Sequence, residues 1–283
     1  MIASAFEYVK PKTLSEALHL LRFHGDEAKV LAGGHSLIPM MKLRLAQPAV
    51  LIDIAGLPSL SGITVDAGRI TVGALTTHAA LAASDELRRH APALWDAANN
   101  LGDPQVRNRG TAGGACAHGD PAADYPAVML ALDAEFTLAG ENGERTVRAG
   151  DFFLGMFETA LAPSEVLTKI SFEAQPHSAY LKLEHPASHY ALVGAAVSLE
   201  LSAGRITSAR IAISGVGDVA FRATEVEVGL SNADAHDGNA ISAACAAAAA
   251  GAEPRSDVAA SAEYRGAMAD VYAARAVTLA VSR

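Results

Sequence analysis

The 283-residue sequence predicts an α+β protein in which strands and helices fall into successive units. Three observations predict it. Short β-branched or alternating apolar runs recur at 29–32, 49–54, 63–72 and 191–215. Other stretches carry apolar residues at helical spacing. The last third passes from a hairpin into alanine-rich helices, and no repeat of solenoid period is present.

The elements follow in order. Thr13-Leu-Ser-Glu16 is a capping-box pattern, and Leu14, Ala17, Leu18 and Leu21 continue it as a helix. Lys29–Ala32 is a short strand running straight into Gly33-Gly34, and Ala49–Ile54 is a second. Ile63–Val65 and Arg69–Val72 flank the turn residues Asp66 and Gly68. A helix is expected after Thr76 or Thr77, and another from Ser84 to Asn100. Gly102 to Asp124 is rich in turn formers and poor in bulky apolar residues, so it reads as a long functional loop. Ala191–Leu201 and Arg205–Gly215, joined by Ser202-Ala-Gly204, form a hairpin. Helices over Asn239–Gly251 and Val258–Val281 close the chain. The units divide at residues 1–55, 56–174 and 175–283.

Composition narrows the function. Hydrophobic residues make up 51% and charged residues 19%, enough apolar surface to offset the entropy of ordering the chain. The net charge of −9, with no basic run, excludes a nucleic-acid surface that works by replacing counterions. No signal-like segment opens the chain, and no apolar stretch is long enough to span a bilayer, so a cytoplasmic protein is expected. Two distant cysteines, Cys116 and Cys245, cannot supply the four thiolates of an ordinary iron–sulfur cluster, and no zinc spacing exists. Any redox centre held by this chain should be organic.

Two segments hint at chemistry: Ala32-Gly-Gly-His-Ser-Leu37, directly after a strand, and Thr111-Ala-Gly-Gly-Ala115. Paired glycines let backbone amides converge on an anion, and Ser36 and Thr111 add hydroxyls. Such loops hold a pyrophosphate without lysine or arginine, although a double glycine also serves simply as a tight turn. Neither segment is a Rossmann fingerprint or a P-loop, which makes a pyridine-nucleotide dehydrogenase a weak alternative. The residues alone therefore support an α+β protein with a dinucleotide site.

Longer motifs add a resemblance. Residues Ala32 to Arg44, Gly73-Ala-Leu-Thr-Thr-His78, Asp103 to Gly114, Gly119-Asp-Pro-Ala-Ala-Asp124, Tyr180-Leu-Lys182 and Ala262-Glu-Tyr-Arg265 resemble the flavoprotein chains of molybdenum hydroxylases. That family includes the medium chain of carbon monoxide dehydrogenases and the flavin subunits of xanthine dehydrogenases. The resemblance implies a two-subdomain FAD-binding fold of the vanillyl-alcohol-oxidase type plus a C-terminal α+β domain. It also implies noncovalent FAD, with the molybdenum cofactor and [2Fe–2S] clusters on a large and a small partner chain, in a dimer of heterotrimers. Peripheral association with the inner face of the membrane is compatible with it.

By the same resemblance, Ala32, Gly33, Gly34, His35, Ser36 and Leu37, with Thr111, Ala112, Gly113, Gly114 and Ala115, wrap the FAD pyrophosphate. Asp124 bonds the flavin's polyol chain or, more plainly, caps a helix. Lys182 sits at the polar edge of the rings or is a surface lysine on an edge strand. Leu101 and Leu167 pack near the rings or are plain core, and Tyr190 approaches the ring face or is a half-buried aromatic opening a strand. His35 contributes backbone contacts rather than a covalent flavin link. His78, His118, His185 and His189 have no metal-like spacing and read as surface residues. Three positions depart from the family pattern: Ala112 where a larger aliphatic is usual, Ala115 where asparagine is usual, and His189 in place of an acid. No catalytic residue and no metal ligand is expected on this chain. It reads as an electron-transfer subunit, with a stand-alone flavin oxidase or a flavin-free structural subunit as alternatives.

Overall fold

The computed structural model describes residues 2–283. Three main sheets, each with its own helices, succeed one another along the chain. The first is parallel, with Val50–Asp53 between Glu7–Val9 and Ala28–Leu31. The helix Leu14–His24 crosses over between its first two strands and buries Ala17, Leu18 and Leu21 against them. Its capping box forms almost as the sequence predicts. Thr13 Oγ1 accepts from the Glu16 amide at 3.1 Å, but Glu16 reaches back one residue further, to the Lys12 amide at 2.7 Å.

The second sheet has five antiparallel strands in the order Ile63–Asp66, Arg69–Gly73, Val166–Glu173, Glu135–Gly140, Gly143–Arg148. The third has four, Ser178–Glu184, Ala191–Ser202, Arg205–Ser214 and Phe221–Arg222, with the long helix Ala262–Val281 packed on it. Small residues on that helix, Ala269, Ala273, Ala276 and Ala280, are fully buried and let it approach the sheet closely. The second and third units share a core, since Tyr180, Ala196 and Ala212 join Tyr125, Met129 and Phe136.

Four expectations need correction. The helix expected over Ser84–Asn100 is two helices, Asp85–His90 and Pro92–Asn100. They break at Ala91 (φ −150°, ψ 62°), because a residue before proline is driven out of the helical region. The expected loop Gly102–Asp124 contains two short helices, Pro104–Arg109 and Ala112–His118. Each is started by a side-chain cap: Asp103 accepts from Val106 N, and Thr111 from Gly114 N. The alanine-rich helix ends at Cys245, not Gly251, and the last helix begins at Ala262, not Val258, where Ser261 caps it. Finally, His78 is 3% exposed and belongs to the interior.

Candidate functional site

The two glycine segments lie against each other. Gly33 rests on the Arg109–Gly110 peptide so closely that a Cβ there would stand 2.1 Å from the Arg109 carbonyl oxygen. A Cβ on Gly114 would be 3.9 Å from that of Ala32. Gly34 takes φ +77°, a conformation open to glycine and strained for other residues. The segments nevertheless do different work. In the second segment the amides from Ala112 to Ala115 are used internally: Ala112 donates to Thr76 O, Gly113 to Ala74 O, Gly114 to Thr111 Oγ1 and Ala115 to Thr111 O. Gly113 is held there because a Cβ would meet Ala74 backbone at 2.9 Å. In Ala32–Leu37, no amide from Gly33 to Leu37 donates to an acceptor among the described residues. Successive free amides on a turn are the kind of arrangement that binds anions. His35 Nδ1 lies 3.1 Å from Gly33 O, two residues back, and the ring is exposed. The free amides thus lie in Ala32–Leu37, and Thr111–Ala115 packs behind them with its own amides largely used.

A further cluster sits where the third unit meets the second. Asp124 is the first residue of the helix Asp124–Ala131; Ala123 is the N-cap and Asp124 makes no capping bond, which corrects the simpler reading of that residue. Its Oδ1 instead accepts from Tyr180 Oη at 2.6 Å and lies 3.0 Å from Lys182 Nζ. Nζ also donates to His189 O at 2.7 Å. The Lys182 side chain is 4% exposed, so it is no surface lysine, although its strand is indeed at the sheet edge. Burial raises the Asp124 carboxyl above its usual range, with Lys182 and Tyr180 acting against that rise. Asp124 Oδ2 accepts no hydrogen bond from another residue. Gly194 is required beside this cluster, because a Cβ there would meet Tyr180 Oη at 2.5 Å.

Tyr190 is 43% exposed and follows His189, which takes φ +60° at the end of a turn closed by His185 N–H to Tyr190 O. Burial, then the charges of Asp120 and Asp124, raise its phenol pKa. His189 Nδ1 lies 3.5 Å from Glu184, which brings an acid back beside the position where one is missing. Leu167 is 4% exposed and Leu101 packs against the same core. Ala112 and Ala115 line the wall helix, Ala112 being 1% exposed.

Tyr180 and Arg265 stand out in the sequence only as parts of motifs. Arg265 Nη1 donates to Leu192 O and Gly215 O at 2.6 and 2.7 Å, and Nη2 to Asp257 at 2.7 Å, tying the last helix to the ends of both long strands. The Gly215 amide in turn donates to Pro121 O, just before Asp124. An arginine at a helix start with no visible carboxylate in register offers no local sign of such a role. No group of three metal-ligating side chains occurs among the described residues, and no helix there is long and apolar enough to cross a membrane.

Comparison with known proteins places the chain among relatives. Residues 4–173 match the family described as the FAD binding domain in molybdopterin dehydrogenase, and residues 178–280 match the CO dehydrogenase flavoprotein C-terminal domain. The chain is 43% identical to the carbon monoxide dehydrogenase medium chain of Hydrogenophaga pseudoflava, covering 100% of this chain and 99% of that one. It is 40% identical to the medium chain of Afipia carboxidovorans over the same shares. The solved carbon monoxide dehydrogenase from Hydrogenophaga pseudoflava superposes with a TM-score of 0.95, covering 100% and 99% of the two chains.

Proposed function

We infer the function from one premise: the chain belongs to the family of FAD-binding subunits of molybdenum hydroxylases. It is therefore an oxidoreductase subunit whose cofactor is FAD. The finer reading is that it is the electron-transfer component of a heterotrimer. In that reading a large chain holds the molybdenum centre and oxidises the substrate, and a small chain carries two [2Fe–2S] clusters. This chain passes the electrons to an external acceptor. FAD supplies the junction, accepting electrons singly and releasing them singly or in pairs.

The observation that carries the site assignment is the row of five free amides from Gly33 to Leu37, backed by Thr111–Ala115. Those amides hold the pyrophosphate, and the helix at Thr111–Ala115 fixes their curvature. Asp124 Oδ2 is left to accept from a polyol hydroxyl, since Oδ1 is occupied by Tyr180 and Lys182. Lys182 Nζ has three hydrogens and two protein partners, which leaves one for the polar edge of the rings. There its charge offsets negative charge on the ring. Tyr190 covers one ring face, while Leu101 and Leu167 exclude water from the other side. The units 1–55 and 56–174 clasp the cofactor, and 175–283 closes over it.

The test is anaerobic reduction followed by flavin absorbance. In complex with the large and small chains, substrate reduces the flavin; the isolated FAD-loaded chain is not reduced by the same substrate. Steady turnover of a small reduced substrate by the isolated chain would overturn this reading in favour of a stand-alone oxidase. Active assembly without flavin would make the chain a structural subunit.

A further inference from the structure

His78 stands where the two glycine segments meet and has no part in the proposed function. Its amide donates to Gly110 O at 3.0 Å, and its Nδ1 lies 2.8 Å from the Tyr125 hydroxyl. The far edge of the ring faces Gly110, where a Cβ would stand 2.6 Å from Nε2. Tyr125 is fully buried, and its hydroxyl has no other hydrogen-bond partner. The phenol O–H must therefore donate to Nδ1, which assigns the neutral tautomer with its hydrogen on Nε2. Burial, reinforced by His35 and Arg107, holds the imidazole pKa down to about 4, so the ring is uncharged near neutrality.

That Nε2–H has no protein acceptor among the described residues. Among the described residues, the side-chain atoms both sealed from solvent and without a hydrogen bond are His177 Nδ1, Ser214 Oγ, Arg255 Nε and Arg265 Nε. His78 Nε2 is not among them, so it opens on solvent beside Gly110. The Arg109–Gly110 peptide that this ring edge faces is the one on which Gly33 is seated, so Nε2 and the first glycine segment meet at Gly110. We propose that His78 is a cofactor-binding residue whose neutral Nε2–H donates to the FAD pyrophosphate where the two glycine segments meet. This rests on the assignment of FAD to the site.

Two substitutions separate the donor from the packing. His78→Gln places an amide nitrogen near the Nε2 position, while His78→Asn reproduces Nδ1 and its bond to Tyr125. In FAD titrations of the apoprotein by flavin fluorescence, H78N should weaken binding about tenfold and H78Q by less than about threefold. H78Q leaves the buried Tyr125 hydroxyl without its acceptor and should unfold at a lower temperature than H78N, so stability and affinity should rank in opposite order. Wild-type affinity in H78N, equal losses in both, or the reverse order would overturn the proposal and leave His78 acting through Tyr125 alone. Should H78N fail to fold, nitrogen NMR of the wild-type ring decides. FAD should shift the Nε2–H signal and slow its exchange; an unchanged signal refutes the contact. Wild-type protein that takes up no FAD would sink the cofactor reading and this inference together, whereas any other ranking with wild-type binding intact sinks this inference alone.

Discussion

Replacing Gly33 with alanine places a methyl group 2.1 Å from the Arg109 carbonyl oxygen and 2.8 Å from both the Arg109 carbonyl carbon and Gly110 Cα. All three are backbone atoms, so no side chain can swing aside. The two segments must part by roughly 1 Å to regain ordinary contact. Overpacking of this kind costs about 1–3 kcal/mol. If the strain falls on the cofactor-bound arrangement, FAD affinity drops between about 5-fold and about 150-fold. If it falls on the apoprotein, Tm drops by about 2–4 °C per kcal/mol for a chain of this size. Both are read from one preparation, by FAD titration and by thermal unfolding with and without the cofactor. Gly150→Ala is the control, because nothing lies within 4 Å of a Cβ there. It should leave both measurements unchanged. A G33A protein with wild-type affinity and wild-type Tm would refute the claim that the Gly33–Arg109 contact sets the spacing of the site.

Lys182→Met should destabilise the protein by about 3 kcal/mol in urea, because Asp124 is left buried without its cation; Lys182→Met with Asp124→Asn should recover much of that loss. Equal losses in the single and double variants would contradict the pairing. His78 has a folded pKa of about 4 against an ordinary 6.5, so the unfolded chain binds more protons between those values. Stability is therefore full above about pH 6.5 and falls by up to about 3 kcal/mol as pH drops toward 4, a slope that urea titrations should find flattened in H78Q. Arg265→Met leaves the Leu192 and Gly215 carbonyls without their donor and should cost about 2–4 kcal/mol, measured the same way.

Much of the fold was legible because it is written locally. Thr13 and Glu16 announce their helix, and the alternation of Ala191–Leu201 and Arg205–Gly215 around Ser202-Ala-Gly204 announces the hairpin. What was missed has little apolar periodicity. Ala112–His118 is a helix of small residues, recognisable only from the Thr111 cap and its burial against the strand Val166–Glu173. The break before Pro92 was visible in principle, but the apolar spacing on both sides masked it. In the glycine segment Ala32–Leu37 the amides from Gly33 to Leu37 stay free, which an anion-binding reading of its double glycine requires. Thr111–Ala115 carries the same double glycine and hydroxyl, yet its amides from Ala112 onward are consumed by Thr76, Ala74 and Thr111 itself. Only the fold brings Thr76 and Ala74 near. The Asp124–Tyr180–Lys182 cluster joins two units of the chain, and no local pattern reports a contact across that separation.

The central claim is that Gly33–Leu37 and its wall form a site for FAD, and binding itself is the most direct test. Purified protein, freed of bound small molecules and titrated with FAD, should take up one equivalent, quench its fluorescence and release it intact on denaturation. Riboflavin, which lacks the pyrophosphate, should bind far more weakly. No uptake of FAD, or equal affinity for riboflavin, would contradict the account.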